Sequence, residues 1–280
     1  MSRQISARSV VVGVVGDPVH HSLSPLLHNA AFEATCTDAV SVGFLVKDGA
    51  FQAALEGLVA LGVRGVSVTM PHKEAAAKLA AVTSPLVDRL GAANCLVVTD
   101  GHVHAHSTDG AGFLGALHEG AQVDLPGMRA MVAGTGGAAR AIIAALCDAG
   151  AEVHVVSRST DRAVAAAKVG GATALVGRLE EFPTMDLVVN ATPCGMAGTS
   201  HEMTGPFGDW VPQRGQVAFD AVYQPRQTRW LLAAAAQGAT VVGGLSMLVH
   251  QAIGQLVHFT GCAVDASVLW QALEDHGARG

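Results

Sequence analysis

The sequence predicts an α/β protein made of two α/β domains. Short runs of Val, Ile and Ala alternate with helical patterns along the 280 residues, which is typical of mostly parallel sheets covered by helices. The composition is 50% hydrophobic with only 4% aromatic residues and 33 glycines, which suits closely packed strand and helix units. A chain of this length forms one large domain or two smaller ones.

The charge and the cysteine content indicate which partners are not expected and which cellular compartment is expected. The net charge is −6 without any run of Lys or Arg, so we expect neither a nucleic-acid nor a membrane partner. No apolar run approaches the ~20 residues that a membrane-spanning helix needs. The five cysteines are scattered without a Cys-x-x-Cys pair, which favours a reducing compartment over a structural zinc site. We therefore expect a soluble cytoplasmic protein.

The first predicted strand, residues 10–15, leads into a loop that carries two serines. Ser24 precedes Pro25 and the start of a helical pattern, so its hydroxyl is expected to cap that helix. Ser22 is not needed for the cap. Two hydroxyls in the loop after a strand suit a polyol or a carboxylate, and spacing alone leaves this binding role and simple capping equally open.

A second predicted strand, helix and strand follow over residues 40–46, 49–61 and 63–69. The last strand ends at Thr69, and Pro71 is expected to open a helix with Lys73 in its first turn. A lysine at this end of a helix opposes the helix dipole, so solvent or a carboxylate has to compensate its charge. The position therefore allows either a solvated lysine or a functional one.

Polar residues also flank the next predicted hairpin. Asn94 enters the strand 95–98, and a tight turn leads back into the strand 103–105. Asp109 then precedes a helix over residues 111–117, which it could cap. Because ligands of α/β sheets bind at the ends of strands, these residues are also candidates for a binding site.

Residues 130–147 predict a strand, a glycine-rich turn and a helix. Gly134 permits a tight turn, Gly136 lets the backbone approach a pyrophosphate, and Ala139 supplies the third small position of a dinucleotide-binding turn. The unpaired N–H groups at the start of the helix would hold the phosphates. We interpret the segment as a Rossmann-like cofactor site, with an ordinary glycine-rich loop as the alternative.

The end of the next predicted strand, residues 152–156, indicates which dinucleotide binds. NAD-binding domains place an acidic residue there for the ribose 2′-hydroxyl, whereas this chain has Ser157, Arg158 and Ser159. Arg162 follows one helical turn later. Two guanidinium groups suit the 2′-phosphate of NADP, and the alternative is a pair of solvated arginines.

The remaining elements complete the second domain and return to the first. Strands are predicted near 188–191, 217–219 and 240–242 and a helix over 228–236, with a long loop at 197–216. Helices over 246–259 and 265–276 end the chain. We predict that they rejoin the first domain, which gives one domain of residues 1–109 plus 245–280 and another of residues 110–244.

Seven short motifs, in this order, resemble the shikimate dehydrogenase family across nearly the whole chain. They are Ser22–Pro25 (SLSP), Val68–Lys73 (VTMPHK), Gly91–Asn94 (GAAN), Thr108–Gly110 (TDG), Asn190–Met196 (NATPCGM), Asp220–Pro225 (DAVYQP) and Gly244–Gln251 (GLSMLVHQ). The resemblance implies an N-terminal substrate domain, a Rossmann-like NADP-binding domain, and NADPH-dependent reversible reduction of 3-dehydroshikimate to shikimate. That reaction belongs to the biosynthesis of chorismate and the aromatic amino acids.

The resemblance also implies roles for individual residues. Lys73 and Asp109 resemble the catalytic pair, although sequence does not say which one carries the proton. The implied substrate ligands are Ser22, Ser24, Ser67, Thr69, Asn94, Tyr223 and Gln251. The implied cofactor-binding residues are Gly134, Thr135, Gly136, Gly137, Ala138, Ser157, Arg158, Ser159, Arg162, Thr192, Ala221, Gly244 and Met247. Ser67 departs from the family's usual Asn, which puts one substrate contact in doubt, and Cys95 departs from the usual Thr.

Two alternative functions stay open at this point. The protein could be a quinate/shikimate dehydrogenase with relaxed substrate or cofactor choice, or a non-catalytic dinucleotide-binding sensor. His102, His104 and His106 alternate along one predicted strand, but no companion ligand is visible, so we expect no metal site there. The sequence allows a monomer or a homodimer.

Overall fold

The computed structural model describes residues 5–277. The strands are β1 (Val10–Gly16), β2 (Ala39–Leu45), β3 (Gly65–Val68), β4 (Val82–Thr83), β5 (Cys95–Thr99), β6 (His102–His106), β7 (Arg129–Ala133), β8 (Glu152–Val156), β9 (Ala174–Val176), β10 (Leu187–Asn190), β11 (Val217–Asp220) and β12 (Thr240–Gly243). The helices are α1 (Ser24–Ala34), α2 (Phe51–Ala60), α3 (Lys73–Leu79), α4 (Pro85–Leu90), α5 (Asp109–Ala121), α6 (Gly137–Asp148), α7 (Thr160–Ala167), α8 (Arg229–Ala236), α9 (Gly244–Thr260) and α10 (Ala266–Asp275). Two 3₁₀ helices lie at Lys168–Thr173 and Leu179–Thr184.

The chain divides into two compact units. The first contains the described residues up to Thr108 and from Gln251 onward, and the second contains Asp109–His250. Helix α9 begins in the second unit and continues into the first. The termini of the predicted first domain, residues 1–4 and 278–280, lie outside the described residues.

The first unit is built on a mixed six-stranded sheet with the order β2-β1-β3-β5-β6-β4. Strand β1 pairs in parallel with both β2 and β3, whereas β5 is antiparallel to β3 and to β6. The β1 sequence VVVGVVG is an unbroken apolar run because this strand is covered on both faces. One face packs against Phe51 and Leu55 of α2, and helices α1 and α10 pack on each other.

The second unit is built on a parallel six-stranded sheet with the order β12-β11-β10-β7-β8-β9. Its central strands are apolar and fully buried, as crossover helices on both faces of a parallel sheet require. Met131 and Val188 of these strands pack in one cluster with Phe207 and Trp230. The alanines of α6 allow helix and sheet to approach closely.

These observations confirm the predicted fold class of two α/β units with a C-terminal return to the first. Two local predictions were wrong. Leu23, not Ser24, occupies the N-cap of α1, and Ser24 is the first helical residue. Helix α3 begins at Lys73 rather than at Pro71, because residues 70–72 form a turn that reverses the chain after β3.

No helix among residues 5–277 has both the length and the apolar character needed to cross a bilayer.

Candidate active site

One edge of the first unit's sheet gathers the predicted substrate ligands. Strands β1 and β3 run in parallel, so the loops after both strands emerge at this edge. Strand β5 is antiparallel to β3 and pairs Cys95 with Ser67, so the residue before β5 lies at the same edge. Strand β6 pairs His106 with Cys95, so its carboxyl end lies there as well. The topology thus brings together four loops that are far apart in sequence.

The loop after β1 carries the two serines. The Ser24 N–H donates to Ser22 Oγ over 3.3 Å, which ties the two residues together. Ser24 is buried, with 4% of its surface exposed, and Ser22 is half-buried. The Ser24 hydroxyl therefore does not cap α1. Ser24 is instead buried as the first residue of the helix.

A short turn after β3 positions Lys73. The His72 N–H donates to Thr69 O over 3.0 Å, and His72 Nε2 lies 2.7 Å from Val46 O. The buried His72 ring also stacks on Phe51 at a centroid distance of 4.9 Å. Lys73 is the next residue, half-buried at the first position of α3. Sequence reasoning missed His72, whose ring fixes the turn in which Lys73 begins its helix.

Asn94 is the centre of a buried hydrogen-bond network. Its Oδ1 accepts from the Thr108 N–H over 2.7 Å, and its Nδ2 donates to Thr108 Oγ1 over 2.9 Å. The same Nδ2 donates to Gln251 Oε1 over 3.3 Å. All three residues are at least 94% buried, and buried polar groups of this kind are kept because each is satisfied. The network joins Asn94 and Gln251, both expected ligands, with Thr108, which sequence reasoning left without a role.

The segment Ala93–Asn94 contacts the backbone of Lys73 and also Thr108, the residue before Asp109. The Ala93 N–H donates to Lys73 O over 2.9 Å, while Asn94 binds Thr108 on its N–H and its hydroxyl. Thr108 directly precedes Asp109, which is buried as the first residue of α5. Ser67 and Thr69 lie at the same sheet edge, Ser67 buried and Thr69 half-buried.

The predicted cofactor ligands gather at the carboxyl edge of the second unit's sheet. Parallel pairing aligns the last residues of β7, β8, β10, β11 and β12, since Ala133 pairs with Val156 and Asn190, and Asp220 pairs with Asn190 and Gly243. The segments that follow these strands therefore emerge side by side, where ligands bind in such sheets. They contain the expected residues Gly134–Ala138, Ser157–Ser159, Thr192, Ala221 and Gly244.

The turn after β7 fits a pyrophosphate. Gly134 has a φ of +127°, and a Cβ there would lie 2.6 Å from Ala191 O, so only glycine fits. The N-cap of α6 is Gly136, which has no side-chain cap and open space where a Cβ would be. Helix α6 has no acidic residue in its first turn. Its first N–H groups are therefore suited to bind an anion.

The segment after β8 fits a ribose 2′-phosphate. Arg158 and Arg162 are exposed, and Ser157 stands where an NAD-binding site would have an acidic residue. The Ser159 hydroxyl accepts from the Arg162 N–H over 3.4 Å and so caps α7. Two exposed guanidinium groups, one just before α7 and one in its first turn, can bind a phosphate dianion with several charge-assisted hydrogen bonds.

A second buried network orders the loops after β10 and β11. Asn190 Nδ2 donates to Asp220 Oδ1 over 2.9 Å, and Thr228 Oγ1 donates to Asp220 Oδ2 over 2.6 Å. Burial raises the pKa of Asp220 to about 6, even though three hydrogen-bond donors favour its carboxylate. Asn190 Oδ1 also accepts from the N–H and the hydroxyl of Thr192, over 3.0 and 2.7 Å. Thr192 thus lies in a rigid turn at the sheet edge.

The start of α9 lies against the loop after β11. A Cβ on Gly244 would lie 2.5 Å from Ala221 O, so glycine is required for this close approach. Met247 is buried one turn later, and Tyr223 is half-buried in the loop itself. Among residues 5–277, no group of three or more His, Cys, Asp or Glu residues could hold a metal ion.

Family models match both ends of the chain. A model described as the shikimate dehydrogenase substrate binding domain matches residues 14–96. A model described as the shikimate 5′-dehydrogenase C-terminal domain matches residues 244–274. A shikimate dehydrogenase (NADP(+)) of Moorella thermoacetica is 40% identical over 97% of this chain and 95% of its own length.

Solved structures share the fold of the whole chain. Shikimate 5-dehydrogenase of Thermus thermophilus, solved with NADP(H) and shikimate, is 34% identical with a TM-score of 0.84, over 95% of this chain and 99% of that one. Quinate dehydrogenase of Corynebacterium glutamicum, solved with NAD, is 29% identical with a TM-score of 0.84, over 95% and 99% of the two chains. The motifs, the topology and these relatives agree, and the chain belongs to the shikimate dehydrogenase family.

Proposed function

We propose that this protein is an NADP-dependent oxidoreductase that interconverts shikimate and 3-dehydroshikimate. It acts on the secondary alcohol of shikimate and contributes to the biosynthesis of chorismate and aromatic amino acids. The observation that carries the proposal is the segment Ala93–Asn94, in which Ala93 binds the Lys73 backbone and Asn94 binds Thr108, the residue before Asp109. Relatives named as NADP-dependent shikimate dehydrogenases support the same reaction.

Residues 1–109 and 245–280 form the substrate-binding domain in this proposal, and Ser22 and Ser24 bind the substrate carboxylate. Their clustering in one loop supports that role, because two hydroxyls can donate to the two carboxylate oxygens. The hydroxyls of the substrate are bound by the polar groups at the same sheet edge, with Tyr223 beside the ring. Those groups are Ser67, Thr69, Asn94 and Gln251.

Residues 110–244 form the NADP-binding domain. NADPH, when bound, supplies the hydride that reduces the ketone carbon of the substrate. The backbone N–H groups of residues 134–138 bind the pyrophosphate, and Arg158 and Arg162 bind the 2′-phosphate with Ser157 and Ser159 beside it. Thr192, Ala221, Gly244 and Met247 line the part of the site nearer the nicotinamide.

Lys73 and Asp109 are the catalytic residues. The ketone oxygen gains negative charge as its carbon is reduced and must also gain a proton. The Lys73 ammonium stabilises that charge, and Lys73 or Asp109 delivers the proton. Lys73 is half-buried, so water competes less with its interaction than at the surface. In the reverse direction the same groups take up the proton of the substrate hydroxyl.

We also propose that the enzyme works in the cytoplasm as a monomer or a homodimer. The described cysteines are all free, which suits a reducing compartment.

Initial rates with four combinations of substrate and cofactor test the proposed function. Shikimate and quinate are each oxidised with NADP+ and with NAD+, and formation of the reduced cofactor is followed by absorbance. We expect the highest kcat/KM for shikimate with NADP+. Absence of turnover with every pair would indicate a non-catalytic sensor, and a higher kcat/KM for quinate or for NAD+ would indicate the specificity of the quinate dehydrogenase relative.

A further inference from the structure

Two fully buried polar side chains in the first unit have no role in the proposed reaction. His28 lies on α1 and Gln255 on α9, and neither exposes any of its surface. Burying an imidazole and an amide costs free energy unless their polar atoms are satisfied. Both side chains lie next to the Asn94 network, and their contacts indicate what they do.

Gln255 binds the backbone of Asn94. Its Nε2 donates to Asn94 O over 3.0 Å, and the same carbonyl accepts from the Val68 N–H over 2.8 Å. Gln251, one helical turn earlier on α9, accepts from the Asn94 side chain. Helix α9 therefore binds Asn94 at two points, one on the backbone and one on the side chain. The orientation of the Asn94 amide depends on both.

Close packing keeps α9 on this segment. A Cβ at Gly254 would lie 3.1 Å from Thr108 Cγ2, so the helix backbone approaches Thr108 closely. Thr108 is the residue that Asn94 binds twice and that precedes Asp109. A shift of α9 would therefore move Asn94 and Thr108 together.

His28 is the next polar side chain that interacts with Gln255. Its Nδ1 lies 3.0 Å from Ser41 Oγ on β2. Burial lowers the pKa of His28 to about 4, so the ring is neutral at pH 7, while the Gln255 side chain acts in the opposite direction. Among residues 5–277, neither His28 Nε2 nor Gln255 Oε1 forms a hydrogen bond of good geometry. A neutral ring that accepts from Ser41 at Nδ1 carries its proton on Nε2, which directs that proton toward the Gln255 oxygen.

We propose that His28 and Gln255 are positioning residues that orient Asn94, and through it Lys73 and the segment before Asp109, for shikimate. The Asn94 carbonyl can only accept, so Gln255 donates to it and turns its Oε1 toward the His28 Nε2–H, and Ser41 then donates to His28 Nδ1 and holds the ring in that tautomer. An apolar pair of the same volume would fill the space at lower desolvation cost but would leave the Asn94 carbonyl without this donor. The inference rests on the proposed function, since it concerns the orientation of shikimate ligands.

Replacement of Gln255 by Met tests the proposal. Gln255→Met keeps the length and volume of the side chain and removes both polar atoms. We expect KM for shikimate to rise roughly tenfold with a fall in kcat, because displacements near 1 Å in a site have effects of this order or larger. KM for NADP+ should stay within about twofold, since Gly244 and Met247, the proposed cofactor ligands on α9, lie at its start in the second unit and the other cofactor ligands lie on other elements.

Leu256→Val is the matched control. Leu256 is buried beside Gln255 on the same helix, so its truncation lowers the melting temperature without removing a contact to Asn94. We expect both KM values of this variant to stay within about twofold of the wild type. If Gln255 had a purely structural role, Gln255→Met would behave like this control, with a lower melting temperature and an unchanged KM for shikimate. That result would overturn the proposal.

Ser41→Ala provides a second, milder test. It removes the hydroxyl that orients His28, and we expect KM for shikimate to rise about threefold, the effect of one weakened hydrogen bond. If Gln255→Met does not fold, an unchanged KM for shikimate in Ser41→Ala overturns the proposal. Lack of wild-type turnover with shikimate would instead overturn the proposed function and this inference with it. If the wild type turns over shikimate and the variants have the wild-type KM for shikimate, the inference alone is overturned.

Discussion

The two units form their sites in different ways. In the first unit the proposed ligands are mostly buried side chains, such as Ser24, Asn94 and Gln251, which expose 4, 2 and 6% of their surfaces. In the second unit the site is formed mainly by backbone, at the turn of Gly134 and the uncapped start of α6, with exposed arginines beside it. Side chains specify a small substrate, whereas backbone amides bind phosphates that many enzymes share.

This difference predicts different responses to substitution. A change in the first unit should alter the reaction or the shikimate KM without affecting the cofactor. A change at the proposed cofactor ligands of the second unit should alter cofactor binding or the local backbone without affecting shikimate. The following experiments test that separation.

Replacing Lys73 should have the largest effect. Lys73→Ala removes the cation that stabilises the ketone oxygen and should lower kcat by about 10³-fold, within the usual range for a general acid or base. NADPH affinity, measured by the change in its fluorescence on binding, should stay the same, because the proposed cofactor ligands lie in the other unit.

Lys78→Ala is the control for this substitution. Lys78 lies in the last turn of the same helix and is exposed, so its removal should leave kcat unchanged. Turnover of Lys73→Ala near the wild-type value would exclude Lys73 from catalysis.

The two units should also respond to pH in opposite directions. Burial lowers the pKa of His28 from 6.5 to about 4, so its contribution to stability is present above pH 6.5 and is lost as the pH falls toward 4. Burial raises the pKa of Asp220 from 3.8 to about 6, so its contribution is present below pH 3.8 and is lost as the pH rises through 6. Each full shift corresponds to about 3 kcal/mol.

Urea unfolding of His28→Gln and Asp220→Asn between pH 4 and pH 8 measures these contributions. The stability of the wild type relative to His28→Gln should decrease as the pH falls from about 6.5 to about 4. Its stability relative to Asp220→Asn should decrease as the pH rises from about 4 to about 6. Slopes of the same sign in both comparisons would contradict the assigned burial effects.

Two glycine substitutions separate backbone strain from cofactor access. Gly134→Ala places a Cβ 2.6 Å from Ala191 O at a φ of +127° and should cost about 2 kcal/mol of stability. Gly136→Ala introduces no clash, because nothing lies within 4 Å of the new Cβ, and should cost less than about 1 kcal/mol. If Gly136 gives the pyrophosphate access to the backbone, its variant should still bind NADPH more weakly. Equal stability losses would contradict the assignment of Gly134 as the strained position.

The sequence reveals the second unit's turn more directly than the first unit's network. Gly134 and Gly136 lie two residues apart, and their chemistry depends on local backbone geometry that a motif encodes. Asn94 and Gln251 are 157 residues apart, and only the return of α9 brings them together. Their residue types could be predicted from the family resemblance, but their mutual contact required the fold.

Other features could not be read from the sequence for physical reasons. Ser24 fits a helix cap by its residue type, yet Leu23 occupies the cap and Ser24 is buried as the first residue of the helix. Thr108, His28 and Gln255 have no local signal, because a buried polar residue is recognised only when its burial and partners are known. Departures such as Ser67 keep the same strand position with a shorter side chain.

One double-mutant cycle tests the division between the two units most directly. Ser22→Ala removes a proposed carboxylate ligand, and Arg158→Ala removes a proposed 2′-phosphate ligand. The serine variant should raise KM for shikimate about fivefold, and the arginine variant should raise KM for NADP+ about tenfold. The double variant should show both changes, additive to within about 0.5 kcal/mol. A serine variant that raises KM for NADP+, or an arginine variant that raises KM for shikimate, would contradict the account.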